Sequence, residues 1–420
     1  MKNSRKTVIK IVSLFVITML ILTLIGHFMN GTDVNAPTDE KGDINPTNDS
    51  PYSAALSDFN ENGMKAMWIS YIDYQSVDFS TEEAFTNDIT EMFSNCKSMG
   101  LNTVIVHARS FSDAFYKSNI FPSSHIMTGT QGAEIGFDPL AIMVEKAHEM
   151  GLRIEAWVNP YRVKLYSHPK EISANNPAND TSLTVTTESG IYYNPALQKV
   201  RDLVTEGVVE IVKNYDVDGI HFDDYFYPDT DESLDSADYE LYTGDLSLAD
   251  WRRENVNMLV RQVYSAVKEA DANVTFGISP QGNNENNYDM QYSDIELWLK
   301  EDGYVDYICP QLYWGFGYTT KSGSDRYSFE KLSSQWADYE RSDKVKLYIG
   351  LGAYRIGDGD GGNNDQSEWQ SGENLSKMIQ TINQNKKIDG YAIYTYNNLF
   401  GNTKYEDLRT KEVFAITNMK

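Results

Sequence analysis

The residues best suited to chemistry are two adjacent carboxylates, Asp223 and Asp224, in the stretch DGIHFDDYFYP from Asp218 to Pro228. They follow a short run of strand character and precede three aromatic residues. Carboxylates at the end of a buried strand repel each other and lose solvation, so the placement points to function rather than to solubility. Alternate side chains of a strand face opposite sides. With Ile220 and Phe222 turned to a helix layer, His221, Asp223 and Tyr225 face the other way and Asp224 sits at the rim. The same split turns Glu155, Trp157 and Asn159 inward in RIEAWVN, His107 and Arg109 in NTVIVHAR, and Gln311 and Tyr313 in ICPQLYW. Glu155 then fits an ion pair with Arg109 or His107 better than direct chemistry, and His107 and His221 fit hydrogen-bonded interior residues. Breaking a glycosidic bond needs an acid for the leaving oxygen, a second group for the oxocarbenium-like carbon, and aromatic faces for sugar rings. Asp223 and Asp224, the rings of Trp157, Tyr225, Tyr227, Tyr313 and Trp314, and the amides of Asn159, Gln281, Gln311 and Asn397 can supply these.

Strands must carry these groups. Eight short apolar, β-branched or aromatic runs recur: MKAMWIS (64–70), NTVIVHA (102–108), RIEAWVN (153–159), GIHFDD (219–224), NVTFGIS (273–279), VDYICPQLYW (305–314), KLYIGLG (346–352) and DGYAIYTY (389–396). Helical stripes separate them, such as Phe85, Ile89, Met92 and Cys96, then Val200, Val204, Val208 and Ile211, then Val256, Val260, Val263 and Val267. This alternation predicts an α/β fold of parallel units. The first run continues into WISYIDYQ, without the glycine-rich phosphate turn of an open doubly wound sheet, so the expected fold is a (β/α)8 TIM barrel. Turns into the strands are short, as in MGL at 99–101 and 150–152, whereas segments leaving them are long, as at 109–136, 160–194 and 225–248. Long loops at the C-terminal ends of the strands mark the face where barrel enzymes keep their active sites.

The chain has 420 residues, with 36 basic against 61 acidic side chains and a formal net charge of −25. That charge repels phosphate backbones and argues against nucleic acid as a partner. Lys2, Arg5, Lys6 and Lys10 precede an uninterrupted apolar run from Ile11 to Ile25, the pattern of an export signal. Val8 to Met29 is about long enough to span a bilayer, since roughly 20 helical residues cover its core. Val34-Asn35-Ala36 is only a passable cleavage site, so residues 1–30 are expected as a signal peptide or, preferably, a membrane anchor with its basic end inside. Residues 31–60, rich in Asp, Asn, Pro, Thr and Ser, read as a disordered linker, and 61–420 as the barrel domain. Cys96 and Cys309 fall on an outer helix and a central strand, too far apart for a disulfide and more apt as buried hydrophobes. A metal-dependent amidohydrolase or deacetylase would need several convergent histidines, yet of six only His107 and His221 lie at strand ends. No cofactor or metal is expected.

HARSFSDAFYKSNIFPSS, EAWVNPYRV, YDVDGIHFDDYFYP, WRRENVN, FGISPQGN and VDYICPQLYWGFG, in this order and spacing, resemble the bacterial glycosyl-hydrolase-like 10 family, a group of exported proteins, over about residues 64–400. The resemblance implies a (β/α)8 barrel and hydrolysis of bacterial envelope glycans, including peptidoglycan strands stripped of stem peptides. Its implied site residues are Arg109, Asp113, Asn159, Arg162, Asp223, Asp224, Tyr225, Gln311, Tyr313 and Trp314. SPQGNNENNYD departs from the family's usual continuation of an aromatic, a glycine and a basic residue after SP. DGIHFDDY is also similar to the DGxDxDxE strand of family 18 chitinases, but Tyr225 takes the place of the catalytic Glu and His221 that of the first inner Asp, so only Asp223 matches. Nor does KLYIGLGAYR end in the Glu that many retaining barrel glycosidases carry there.

The expectation is a glycoside hydrolase acting on an amino-sugar polymer of the cell envelope, peptidoglycan glycan strands or a poly-N-acetylglucosamine-like chain. Asp223 and Asp224 would be catalytic, and Arg109, Asp113, Trp157, Asn159, Arg162, Tyr225, Gln281, Gln311, Tyr313 and Trp314 would bind substrate. The alternative is a non-catalytic glycan-binding barrel at the cell surface, distinguished by binding without turnover. Membrane contact is expected through the N-terminal segment alone. Detergent-free fractionation should therefore recover the protein with membranes; recovery from the medium with an N-terminus near Pro37 would show a cleaved signal instead.

Overall fold

Side-chain alternation on eight parallel strands produces two apolar layers in the computed structural model, which describes residues 50–401 and 404–419. The strands are β1 (Met64–Ile69), β2 (Thr103–Arg109), β3 (Arg153–Val158), β4 (Gly219–Phe222), β5 (Thr275–Ile278), β6 (Tyr307–Ile308), β7 (Lys346–Gly352) and β8 (Gly390–Tyr394). Each pairs in parallel with its neighbours in sequence, and β8 pairs with β1 to close the barrel. Outward residues such as Ile154, Ala156, Ile220 and Phe222 join the large core under the helices. Inward residues including Trp68, Ile105, Trp157, Tyr307 and Tyr348 form a smaller core in the lumen. The expected helical stripes are buried, with Phe85, Ile89, Cys96, Val204, Val208, Val260 and Val263 fully inaccessible. Cys96 and Cys309 are free and lie in these two different layers.

Glycines open the lumen where it carries polar groups. A Cβ on Gly277 would stand 2.0 Å from the Tyr307 ring, and one on Gly219 would stand 2.7 Å from the Glu155 carboxyl carbon. These two bare positions on β4 and β5 let Tyr307 and Glu155 meet inside the barrel. The tyrosine hydroxyl donates to Glu155 Oε2, and Thr275 Oγ1 donates to Oε1 at 3.2 Å. Glu155 is thus a structural acid as expected, but its partners are Tyr307, Thr275 and, at 4.0 Å, Arg153, rather than Arg109 or His107.

The linker boundary is corrected by the structure: Pro51–Asn62 is a helix, capped by Ser50, rather than disordered chain to residue 60. Its composition is polar, but Tyr52, Ala55 and Phe59 recur at helical spacing on one face. Tyr52 donates to Asp218 Oδ1 at 2.5 Å, and the Arg153 guanidinium lies 3.6 Å from the centre of the Phe59 ring. The helix therefore packs on the feet of β3 and β4, at the face opposite the long loops. The apolar run Ile11–Ile25 and linker residues 31–49 lie outside the described residues. Among the described residues no helix is long and apolar enough to cross a membrane.

At the other end, one buried acid ties the closing strands together. Asp73, just past β1, accepts from Ser70 N at 2.7 Å and Ser70 Oγ at 2.6 Å, and from Thr395 Oγ1 at 2.9 Å and Asn397 N at 2.8 Å beyond β8. The Asn397 side chain, expected to meet sugar hydroxyls, donates instead through Nδ2 to Asp73 O at 3.2 Å. Deleting the acceptor leaves several buried donors unmade, each a penalty of about 1–3 kcal/mol with incomplete additivity. Asp73→Ala should lower unfolding free energy by about 3 kcal/mol. Urea titration checks this, and a change within measurement error would show that the seam closes without the clamp.

Candidate active site

Strand β4 delivers the carboxylate pair to the centre of the mouth. Asp223 is only 2% exposed, and its Oδ2 accepts from Trp157 Nε1 at 3.1 Å and from Asn159 Nδ2, both on or just after β3. Its Oδ1 accepts from the Tyr225 backbone N–H at 3.3 Å. Asp224 is partly exposed and accepts from Gln311 Nε2 at 3.1 Å, while the same amide group donates to Ser279 O at 2.9 Å. Burial pushes the Asp223 carboxyl up to about 7, against the opposing pull of Arg162 and with the help of Asp224. Burial likewise raises Asp224, against the hydrogen bonds from Gln311 and Gln281. Such a pair retains a proton well above the ordinary carboxylate range.

A relay of hydrogen bonds orients Asp223. The Tyr71 backbone N–H donates to His107 Nδ1 at 3.1 Å, which leaves Nε2–H to donate to Asn159 Oδ1 at 3.2 Å and turns the Asn159 amide nitrogen to Asp223. His107 also stacks on Trp157, ring centres 3.5 Å apart. Burial first, then the Arg162 charge, holds His107 well below its usual pKa, so the ring is neutral. His221 forms a second relay beneath. Trp68 Nε1 donates to its Nε2 at 3.2 Å, so Nδ1 carries the hydrogen toward Tyr307 Oη at 2.7 Å, and that hydroxyl donates to Glu155. Burial lowers His221 to about 3. Both histidines are hydrogen-bonded interior residues, as their positions in the sequence indicate.

The pair opens into a cavity of about 210 Å³ walled by Trp68, Trp157, Tyr225, Ser279, Gln311, Tyr313, Tyr354 and Tyr394. Pockets for whole drug-sized ligands run to roughly 300–1,000 Å³, so this one suits a single ring of a longer chain. Asp223 and Asp224 are the only carboxylates among its described lining residues. Beyond β7 the wall is Tyr354 rather than an acid. Trp157, Asn159, Tyr225, Gln311 and Tyr313 thus gather around the pair as expected, with Gln281 adjoining Asp224 and Arg162 adjoining Asp223. Tyr225 lies at the rim, 53% exposed, rather than inside, and Tyr227 packs within its loop with its hydroxyl on Asp235 at 3.0 Å.

Three expected binding residues fall elsewhere. A register shift in the β2–β3 ladder between His107 and Arg109 turns Arg109 out of the lumen; its guanidinium lies 4.5 Å from the Phe121 ring centre. Asp113 is enclosed in the loop after β2, where Oδ2 accepts from His125 Nδ1 at 2.7 Å and Gln131 Nε2 at 3.1 Å. Trp314 follows inward-facing Tyr313 and so turns away, stacking on Tyr327 at 5.6 Å. Conversely, the sequence reading missed Trp68, Ser279, Tyr354 and Tyr394. Trp68 and Tyr394 were within reach of the parity rule, which puts them on the same face as Ala66 and Ala392. Tyr354 lies in a short 3-10 turn beyond β7 and has no strand parity to read.

A closed eight-stranded barrel with a buried acid pair and aromatic walls at its C-terminal mouth defines a protein of the glycosidase class. The chain belongs to the glycosyl hydrolase-like 10 family, whose model matches residues 63–371. It is 34% identical over 361 residues to glycosyl hydrolase YngK of Bacillus subtilis (strain 168), covering 80% of this chain and 68% of that one. It is also 34% identical over 287 residues to glycosyl hydrolase DigH of Escherichia coli (strain K12), covering 62% of this chain and 64% of that protein. Among solved structures, the PgaB (BpsB) glycoside hydrolase domain from Bordetella bronchiseptica superposes with a TM-score of 0.55 at 13% identity, over 82% of this chain and 98% of that domain, a likeness of fold.

The raised carboxyl has a thermodynamic signature. Burial raises both carboxyls of the pair on folding, so from the ordinary carboxylate range up to about pH 7 the native state binds more protons than the unfolded chain. Stability then falls as pH rises through that window. Asp223→Asn, which leaves a single ionisable carboxyl at the mouth, should become more stable relative to wild type as pH rises from about 4 to 8. Chemical denaturation at several pH values measures this, and a pH-independent difference would place the proton elsewhere.

Proposed function

We propose that this protein hydrolyses glycosidic bonds of an N-acetylated amino-sugar polymer of the cell envelope, either peptidoglycan glycan strands or a poly-N-acetylglucosamine-like chain. The observation that carries this is the proton-retaining Asp223–Asp224 pair with no opposing carboxylate among the cavity's described walls. Two-carboxylate glycosidases need a second acid across the ring, whereas substrate-assisted ones use the sugar's own 2-acetamido oxygen. Asp113, in the loop after β2, is closed off by His125 and Gln131 and does not reach the cavity as a second acid. Amino-sugar chemistry fits a site with this gap.

In this reading Asp224, partly exposed and held by the Gln311 amide, presents the proton to the leaving oxygen. Asp223, fixed by N–H donors from Trp157, Asn159 and Tyr225, orients the acetamido group and balances the developing positive charge. The indoles of Trp68 and Trp157 and the rings of Tyr313 and Tyr394 supply apolar faces for the pyranose. The apolar N-terminal run with its basic flank supports export and retention at the outer face of the membrane, where such polymers lie.

Incubation of the protein with denuded peptidoglycan, chitin and partly deacetylated poly-N-acetylglucosamine, with mass spectrometry of products, tests the reading. Cleavage of at least one is expected. Asp223→Asn and Asp224→Asn should each lower turnover about 100-fold or more while glycan binding persists. Full activity in both variants would remove the pair from the chemistry. Efficient cleavage of a fully deacetylated glycan, or indifference to a thiazoline mimic of the cyclised intermediate, would rule out participation by the acetamido group.

A further inference from the structure

Two opposing influences decide where the proton retained by Asp223 and Asp224 sits. Burial favours it on Asp223, the more enclosed of the two, and raises that carboxyl to about 7. Hydrogen bonding favours it on Asp224. Asp223 accepts three N–H donors, from Trp157 Nε1, Asn159 Nδ2 and the Tyr225 backbone, each of which stabilises the carboxylate rather than the acid. Arg162, which opens a small antiparallel sheet in the loop after β3 (Arg162–Leu165), adds its positive charge from 4.0 Å. Asp224 has two side-chain amides, Gln311 at 3.1 Å and Gln281, and lies partly open to the cavity.

Of the three donors to Asp223, only the Asn159 side chain can reverse. An indole N–H and a backbone N–H do nothing but donate, whereas an amide presents nitrogen or oxygen from the same shape. Turned the other way, Asn159 Oδ1 would face Asp223 Oδ2, and only a protonated carboxyl satisfies an acceptor there. His107 blocks that turn, since its Nε2–H donates to Asn159 Oδ1 at 3.2 Å while Nδ1 accepts from the Tyr71 N–H at 3.1 Å. The imidazole is stacked on Trp157, and the Tyr71 peptide lies within the turn that Asp73 closes on Ser70, so ring and backbone donor are both fixed. His107 adds no charge of its own, because burial and then Arg162 hold it neutral. Tyr71 and His221 also face it. Besides Arg162, the titratable side chains facing the acid pair are Tyr225, Tyr313 and Tyr394, whose hydroxyls burial keeps uncharged.

We infer that His107 is a positioning residue that keeps the pair's proton on Asp224: by fixing the Asn159 amide with its nitrogen toward Asp223, it holds Asp223 as the anion and leaves its neighbour as the donor. The inference rests on the hydrolase function proposed above and assigns the roles of the two acids to a side chain that touches neither of them.

The test follows rate against pH on denuded peptidoglycan strands, or on partly deacetylated poly-N-acetylglucosamine where only that is cut. A carboxyl that binds its proton more tightly ionises at higher pH, so the acidic limb, which reports protonation of Asp223, moves up when Asn159 is released. His107→Leu should lower kcat roughly 10-fold with KM little changed and raise that limb by roughly one pH unit, the effect of one hydrogen bond to a carboxylate. His107→Gln, whose amide accepts from Tyr71 and donates to Asn159, should recover most of the rate and return the limb to its wild-type position. A slower His107→Leu protein with an unmoved limb, or a folded His107→Gln protein without recovery, overturns the assignment and leaves the hydrolase reading standing. If no N-acetylated polymer is cut, the hydrolase reading falls, and carbon NMR titration of the aspartate carboxyls tests the proton's place alone. The Asp223 midpoint should then rise in His107→Leu and not in His107→Gln, and equal midpoints in wild type and His107→Leu overturn the assignment. Should His107→Leu fail to fold, nitrogen NMR of the wild-type imidazole decides: a hydrogen on Nε2 supports the assignment, and one on Nδ1 overturns it.

Discussion

Holding two neighbouring carboxyl groups in a mouth walled by aromatic rings is the constraint around which the upper half of the barrel is organised. Asp223 is almost fully buried, and each group contacting it answers a part of the cost. Trp157 and Asn159 give N–H donors to one oxygen, the Tyr225 backbone gives one to the other, and Arg162 lends charge from 4.0 Å. Asn159 can face the carboxylate with nitrogen rather than oxygen only because His107 donates to its carbonyl, and His107 donates there only because Tyr71 N–H occupies its other nitrogen. A backbone amide just past β1 thereby sets the orientation of an amide past β3 and, through it, of the acid past β4.

The lumen beneath repeats this logic one layer down. Burial holds His221 neutral, and its hydrogen sits on the nitrogen facing Tyr307 because the Trp68 indole can only donate. Tyr307 passes the polarity on to Glu155, whose carboxyl burial lifts to about 7. Each buried donor in this column meets an acceptor, as interior polar groups must. Two lines of hydrogen bonds, one through His107 and one through His221, thus run from the interior of the barrel toward the residues around one small cavity.

Much of this was legible in the sequence, because strand parity is a strong rule where strands are regular. GIHFDD, RIEAWVN and ICPQLYW place Asp223, Trp157, Gln311 and Tyr313 correctly from alternation alone. The rule failed where the ladder is irregular: the register shift before Arg109 reverses its facing, and no periodicity governs Asp113 in its loop or Tyr354 in its turn. Trp314, grouped with the wall aromatics by residue type rather than by parity, stacks on Tyr327 outside the cavity. The helix Pro51–Asn62 escaped notice because average polarity hides three well-spaced apolar residues. The short sheet that carries Arg162 left no trace, its strands being three or four residues long.

Strand β4 is only four residues long, from Gly219 to Phe222, and both of its ends are occupied by acids. Asp218 at its foot is gripped by Tyr52, His148 and the Arg153 side chain, and Asp223 stands at its head. The helix that carries Tyr52 and Phe59 is therefore anchored to the same rigid rod as the acid pair, one strand length away. A chain cut by a protease between residues 50 and 62 would keep every residue of the cavity yet lose the grip at the rod's base. The competence of the mouth thus reports on the integrity of a segment at the opposite pole, and a fragment chosen to begin at residue 61 on composition alone would omit part of what aligns its own acids.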